Sequence, residues 1–449
     1  MARKRSSLIL LVLFIACAAL GTFGLLRKRA EIRDAIETHK EALAEGEADA
    51  RVEAAAALTA RHDGWFSGEL NAISDDIMDA LAAGLGADDL ETRTRAAETI
   101  AAWGAPADAV VRRLLRDDDD ATRIAAAYAL TIRPRPVLRT DLSTALRDSR
   151  VEVRSYAADA LGRTPLPTLD EEMIADLVFR LWKDESAWAR NAAAEALFNQ
   201  DNWTGIPMLV NSLNGRFWTR FNAYERLTRI YRKLGKPLPP FYADGHAARR
   251  AAEVRAIEDA VLADPVLHAR VLAQLAEFKS QIMTATRWTV HLMGRHVVGS
   301  LTDVLTGGGP QFADRQKAKF VRVHSAQGIA DLADPAQSAP ATYRENRPVL
   351  IETARPVLRR LVSDAKARSD VDLTMQVLRA LGHLGDDSDI ARLAPLMADA
   401  NPDIAITAIR TTGAIGGDTA VKALTALEAT GEREDERKLA LAAARRARS

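Results

Sequence analysis

Four groups of residues have types and spacings that could do chemistry. Asp117 to Asp120 set four carboxylates in a row, an oxygen cluster of the kind that holds calcium. No glycine and no terminal glutamate follow at the spacing of a calcium-binding loop, so the residues read as a solvated turn that caps a helix. His291 and His296 are five apart, which puts them on different faces of a helix, unlike a zinc-binding pair at i and i+4. Gly307-Gly308-Gly309 lacks the Lys-Ser/Thr that a phosphate-cradling loop needs, and no nucleophile elbow or dinucleotide fingerprint occurs. No catalytic residue, metal site or cofactor is expected, and the chain is not read as an enzyme. The fourth group is of another kind. Half of the aromatic residues lie between Phe179 and Tyr242, and within residues 216–236 Arg216, Arg220, Arg226, Arg229, Arg232, Lys233 and Lys236 are opposed only by Glu225. At helical spacing Phe217, Phe221, Tyr224, Leu227 and Tyr231 form an apolar stripe expected in the core. Trp218, Arg226, Arg229 and Lys233 fall off that stripe and form a candidate binding face for an anionic or peptide partner, since Trp and Arg dominate contact hot spots. The plainer alternative is a thick packing layer with a solvated charged face.

The elements that carry these residues are expected to be helices. Hydrophobic residues make up 48% of the chain and aromatics only 5%, with Ala and Leu dominant; such a composition suits stacked helices and is rich enough to bury a core. Lys plus Arg equals Asp plus Glu at 61 each, so nothing in the total charge draws the chain to nucleic acid or anionic lipid, and nucleic acid is not expected as a partner. With Cys17 the single cysteine, the body has no disulfide and no cysteine-based metal site.

Arg3, Lys4 and Arg5 precede an uncharged run from Leu8 to Leu26, which Arg27, Lys28 and Arg29 close. At 1.5 Å per residue this run nearly matches a hydrocarbon core of ~30 Å, so a single transmembrane helix is expected over residues 8–26. Ala16-Cys17-Ala18 has the small-x-small form of a cleavage site, and Phe14-Ile15-Ala16-Cys17 resembles a bacterial lipobox with Phe14 where Leu is usual. Cleavage and lipidation at Cys17 thus stand beside the retained anchor as alternatives. The basic clusters on the two sides are nearly equal. A short basic tail ahead of a first hydrophobic segment normally stays inside, which leans the body toward the periplasmic side of a bacterial inner membrane, with the cytoplasmic side as the alternative.

A repeat emerges when the chain is read by register. From Arg51, residues Ala54, Ala55 and Leu58 follow at offsets of three, four and seven. The same offsets recur from Arg93, Arg123, Arg154 and Arg190, and more loosely from Arg220 and Arg322; from Arg93 to Arg220 the arginines lie 30, 31, 36 and 30 residues apart. Those offsets share one helical face, where alanines let a neighbouring helix approach closely. Leu85, Leu115 and Leu146, eight residues before three of the arginines, end an earlier apolar-periodic stretch. Asp88-Asp89, Asp117 to Asp120, Asp148 and Asp184 lie between, where a second helix needs its cap. The unit is helix, acidic turn, helix, and one hairpin cannot bury its apolar face alone, so units must stack. Each repeat arginine is expected to span to an acidic turn or carbonyl of the adjacent unit, building a structural ladder. Leu381-Gly382-His383-Leu384-Gly385 is echoed 31 residues later by Thr412-Gly413-Ala414-Ile415-Gly416, a pattern that suits helix C-caps.

The Asp-turn followed by Arg and Ala-Ala-x-Ala-Leu resembles HEAT repeats, specifically the short bacterial type also found in phycobilisome-lyase-like proteins, over roughly residues 45–230 and 315–445. The resemblance implies an all-α, right-handed α-solenoid of about nine to eleven helix pairs. It divides the chain into an anchor (1–29), a helical spacer (30–45), N-terminal repeats (46–232), an irregular helical region with Pro and Gly breaks (233–315) and C-terminal repeats (316–449) with a surface loop over 333–348. The function expected is a membrane-anchored scaffold for a protein partner. Two other classes share the architecture: HEAT-like DNA glycosylases, which need a catalytic carboxylate beside a basic groove, and bilin handling, for which the repeats alone supply no chemistry.

Overall fold

The computed structural model describes residues 2–60, 73–164, 169–276, 280–364 and 368–446; the side chains of residues 2–21, 25, 106 and 280–282 lie outside that description. All regular structure among the described residues is helical. The first compact unit spans Met1–Asp176 and the second Leu177–Ser449.

The first unit begins with α1 (Ala2–Glu45) and α2 (Ala48–Thr59), followed by the pairs α3 (Ser74–Leu85) with α4 (Leu90–Trp103), α5 (Asp108–Leu114) with α6 (Asp120–Ile132), and α7 (Arg139–Ala145) with α8 (Val151–Arg163). Second helices α2, α4, α6 and α8 pack each on the next. Their alanines at the repeat offsets, among them Ala54, Ala55, Ala96, Ala97, Ala126, Ala127, Ala157 and Ala158, are all buried. The acidic turns divide their labour. Asp89 and Asp119 are true N-caps, accepting from the backbone N–H of Thr92 and Thr122 at 2.7 Å each. Asp148 instead closes its turn on the N–H of Arg150 at 2.8 Å.

Helix α9 (Glu171–Lys183) bridges the numbering of the two units. The second unit continues with α10 (Ala187–Asn199), α11 (Ile206–Ser212), α12 (Phe217–Lys233), α13 (Ala247–Leu262), α14 (Pro265–Gln274), α15 (Ser280–Met293) and α16 (Val298–Leu305). Then come α17 (Arg315–Ala333), α18 (Pro340–Val349), α19 (Arg355–Ser363), α20 (Val371–Leu384), α21 (Ile390–Met397), α22 (Pro402–Ile415), α23 (Gly417–Ala426) and α24 (Glu432–Arg446). Helices α17, α20, α22 and α24 form a second row in which each packs on the next. Gly413 lies inside α22 rather than at its cap: a Cβ there would come within 2.7 Å of the Cα of Ala440 on α24. Gly416, with φ +74°, is the cap.

Two expectations need correction. Among the described residues no helix is long and apolar enough to cross a membrane, so the single-pass anchor over 8–26, and with it the inner-membrane placement and its periplasmic orientation, is not upheld. The uncharged run is no separate element. It belongs to α1, which continues to Glu45 through Arg27, Lys28, Arg29, Glu31, Arg33, Asp34 and Glu37 and buries Ile32, Ala35 and Leu43 in packing on α2. Cys17 lies outside the described side chains. The second correction concerns residues 333–348, expected as a loop. Most of that stretch is helix α18, because Pro340 stands in the first turn, where its missing N–H costs nothing. Pro348 is accommodated where the helix widens into a π-turn over Leu350–Ala354.

Candidate functional site

The aromatic and basic segment singled out in the sequence is α12, and its buried stripe is Ala223, Arg226, Leu227, Ile230 and Tyr231. The helix is thus rotated relative to the stripe expected from Phe217, Phe221, Tyr224, Leu227 and Tyr231. The cause sits on α10, where Glu195 is buried and needs counter-charge. Arg226, only 2% exposed, donates from Nη1 to its Oε2 at 2.7 Å. Arg229 adds a two-point contact, Nε to Oε1 at 2.8 Å and Nη2 to Oε2 at 2.7 Å. Asn222 supports the pair by accepting from Arg226 Nε at 3.0 Å. Burial pushes the Glu195 carboxyl upward, but the two guanidiniums outweigh it and hold the group below the usual glutamate range. Lys233 donates to the Asn199 side chain at 2.6 Å. The charged face expected from Arg226, Arg229 and Lys233 is therefore turned onto α10, where it fixes one helix against the next.

Trp218 has the opposite fate. It is 75% exposed, and Phe217 and Phe221 beside it are 38% and 44% exposed. The three rings touch one another: Phe217 meets Trp218 edge-on with centroids 4.8 Å apart, stacks on Phe221 at 6.2 Å, and Trp218 meets Phe221 edge-on at 6.2 Å. Arg220 braces the cluster from below. Its guanidinium lies 5.8 Å from the Phe217 centroid, donates to the Gly215 carbonyl at 3.1 Å and also to the carbonyl of Ala243. That last bond ties the 234–246 segment to α12; Tyr242 in that segment is exposed, with the Arg249 guanidinium 4.3 Å from its ring centroid. Tyr224, expected in the core, is half-buried and donates its hydroxyl to the Pro239 carbonyl at 3.1 Å.

All seven repeat arginines donate to a carbonyl of the turn or helix end that precedes them, and Arg123 and Arg220 also reach forward into the next unit. Arg123 Nη1 donates to the carbonyls of Asp117 and Asp118 at 2.8 and 3.1 Å, Arg154 to Asp148 and Ser149 at 2.9 Å each, and Arg190 to Asp184 and Glu185 at 2.7 and 3.0 Å. Arg93 hooks onto Ala87 and Asp88 in the same way. Arg220 takes Gly215, Arg51 takes Leu43 at 3.0 Å and Arg322 takes Leu305 at 3.1 Å. Each guanidinium thus satisfies carbonyls left open where the preceding helix ends, at the negative end of its dipole. Arg123 also reaches a carboxylate of the next unit, Asp148, at 2.8 Å. Other arginines latch unit to unit: Arg112 and Arg116 on Asp141, Arg147 on Asp176, Arg359 on Asp389 and Arg410 on Glu436. Sequence reading missed an eighth hook, Arg250 to the Gly245 carbonyl. It stands 30 residues after Arg220, but Glu253 and Val254 occupy the alanine positions that made the register visible.

His291 and His296 are not brought together. His291 packs on the edge of Trp288 at 6.2 Å, while His296 lies 3.8 Å from Asp259. Among the described residues no three His, Cys, Asp or Glu side chains converge on one point.

No protein-family model matches the chain, and no curated protein sequence matches it. Among solved structures the chain is similar to an engineered protein, at 18% identity and a TM-score of 0.30 over 92% of this chain and 99% of that one. It is also similar to a homology model of the full-length AP-3 complex in an intermediate open conformation, at 10% identity and a TM-score of 0.33, covering 92% of this chain and 70% of that one. A third similarity is to Kap121p bound to Nup53p, at 11% identity and a TM-score of 0.31 over 87% of this chain and 46% of that one. Likenesses at this level leave the fold and the function to the chain's own geometry.

Proposed function

We propose that the chain is a HEAT-type repeat scaffold that binds a protein partner through the aromatic surface at the start of α12. The observation that carries this reading is the separation of roles on one helix. Glu195 and Arg226, which pair across the α10–α12 seam, are buried and charged, while Phe217, Trp218 and Phe221 are exposed and touch one another. Exposed rings in contact with one another retain apolar surface that a partner can cover, and Trp, Tyr and Arg are the residue types that anchor such contacts. A nucleic-acid groove is less well supported, because Arg226 and Arg229 spend their charge on Glu195.

Site-specific photocrosslinking in the full-length chain tests the reading. A benzophenone amino acid replacing Trp218 is expected to trap a discrete protein partner in the cell of origin. The same group replacing exposed Glu98 on α4 is expected not to trap it, and Phe221→Ser is expected to abolish the adduct. Identical adducts from both positions, or none from position 218, would refute it.

A further inference from the structure

A second cluster of rings lies within the second unit, apart from the α12 surface. Phe179 and Trp182 on α9 face Trp288 on α15, with the two indoles 6.5 Å apart at 34°. Together with Val178 and Ala285 they bound a cleft of about 200 Å³. Phe179 and Trp288 are 45% and 51% exposed, so the rings form walls rather than filling a core. Among the described residues that line the cleft, Lys183 is the single charge. The neighbouring charges are spoken for: Arg180, whose guanidinium lies 4.8 Å from the Phe179 centroid, pairs with Asp184 at 3.6 Å, and Arg287 pairs with Asp331 at 2.6 Å.

Size and charge select the occupant. Pockets for drug-sized ligands and cofactors run to about 300–1,000 Å³, so this cleft takes a single bulky side chain. Ring walls favour an aromatic one, through offset and edge contacts. A cationic ligand, which three rings would otherwise attract, meets the Lys183 ammonium at the rim. That same ammonium attracts a carboxylate placed next to the buried ring. We infer that the Phe179–Trp182–Trp288 cleft receives a phenylalanine-type side chain of a peptide segment whose following residues are acidic, with Lys183 meeting the first carboxylate.

The test uses the full-length chain and fluorescein-labelled peptides read by anisotropy at low and moderate salt. The probe is Gly-Ser-Gly-Phe-Glu-Glu-Gly-Ser-Gly, with one control carrying Gly for Phe and another carrying Lys for both Glu. The parent is expected to bind the Phe-Glu-Glu peptide at least about tenfold more tightly than either control, the size of effect a buried anchor or a paired charge has. Trp288→Ala and Lys183→Glu should each weaken that binding about tenfold while melting with the parent, since both side chains sit at the surface. Trp218→Ala should leave it unchanged, which keeps this site distinct from the α12 surface. Equal binding of the Phe and Gly peptides, equal binding of the Glu and Lys peptides, or indifference to Trp288→Ala would overturn the inference. So would phosphatidylglycerol vesicles that bind in a Trp288-dependent manner when the peptide does not.

Discussion

Helices α6 and α8 pack on each other with Ala126, Ala127, Ala157 and Ala158 buried; helices α10 and α12 pack with Glu195, Arg226 and Arg229 between them. The first seam is shaped by smallness. Alanines lose no rotamer freedom and leave room for a close neighbour, so the seam is generic and could be repeated down a stack. The second is shaped by chemistry. A buried carboxylate held by two guanidiniums has directional demands that one register alone satisfies, at a desolvation cost the attraction must offset. The alanine seam fixes the closeness of its helices, whereas the ion cluster holds α12 in the orientation that leaves Phe217, Trp218 and Phe221 outside. A stack of helices can thus acquire a specific surface by changing what lies beneath it.

The hardest way to break the contrast is to remove the anion. Glu195→Ala leaves Arg226 buried without its counter-charge and should cost about 3–5 kcal/mol, read as a lowered midpoint in urea unfolding. Replacing Glu195 by Leu and Arg226 by Met together should recover most of that loss, since a well-packed apolar pair commonly matches a buried ion pair. In the other seam, Ala127→Leu or Ala158→Leu forces three carbons into closed space and should cost about 1–3 kcal/mol. If either alanine variant proves harmless while Glu195→Ala does not, the alanine seam is looser than described.

Acid should distinguish the seams without mutation. The Glu195 carboxyl is held below its usual value, so its contribution is present above the unfolded glutamate range near 4.3 and is lost as pH falls through the depressed folded value. Hydrogen exchange in the α10–α12 backbone is expected to quicken over that window, while α6–α8, whose seam buries Ala126, Ala127, Ala157 and Ala158, keeps more of its protection. Equal loss of protection in both would show that the ion cluster does not hold its seam.

Much of the repeat was legible because one residue type marks it. Arg93, Arg123, Arg154 and Arg190 occupy the same place relative to a turn whose carbonyls they bind, and the near-constant spacing exposed them. Arg250 escaped because its hook came without the alanines. The rotation of α12 was not legible: Phe217 and Phe221 satisfy a helical stripe as well as Ala223 and Ile230 do. What decides between the two stripes is Glu195, 31 residues before Arg226. The signal was present in the register, where Arg226 stands at an offset of six from Arg220 while Ala129, Ala160 and Ala196 stand there in earlier units. The N-terminal run read as an anchor because its composition was judged apart from the charged helix that continues it.

The smallest expected effect on stability carries the largest on function. Trp218→Ser with Phe221→Ser removes exposed rings from a helix whose seam lies elsewhere, so unfolding should shift by no more than about 0.5 kcal/mol. The direct test is to place the benzophenone amino acid at Phe217 and compare adduct yield and unfolding midpoint between the parent and this double variant. The expected result is an unchanged midpoint with the partner adduct lost. A lowered midpoint, or an adduct that survives at parental yield, would contradict the assignment of this surface to a partner.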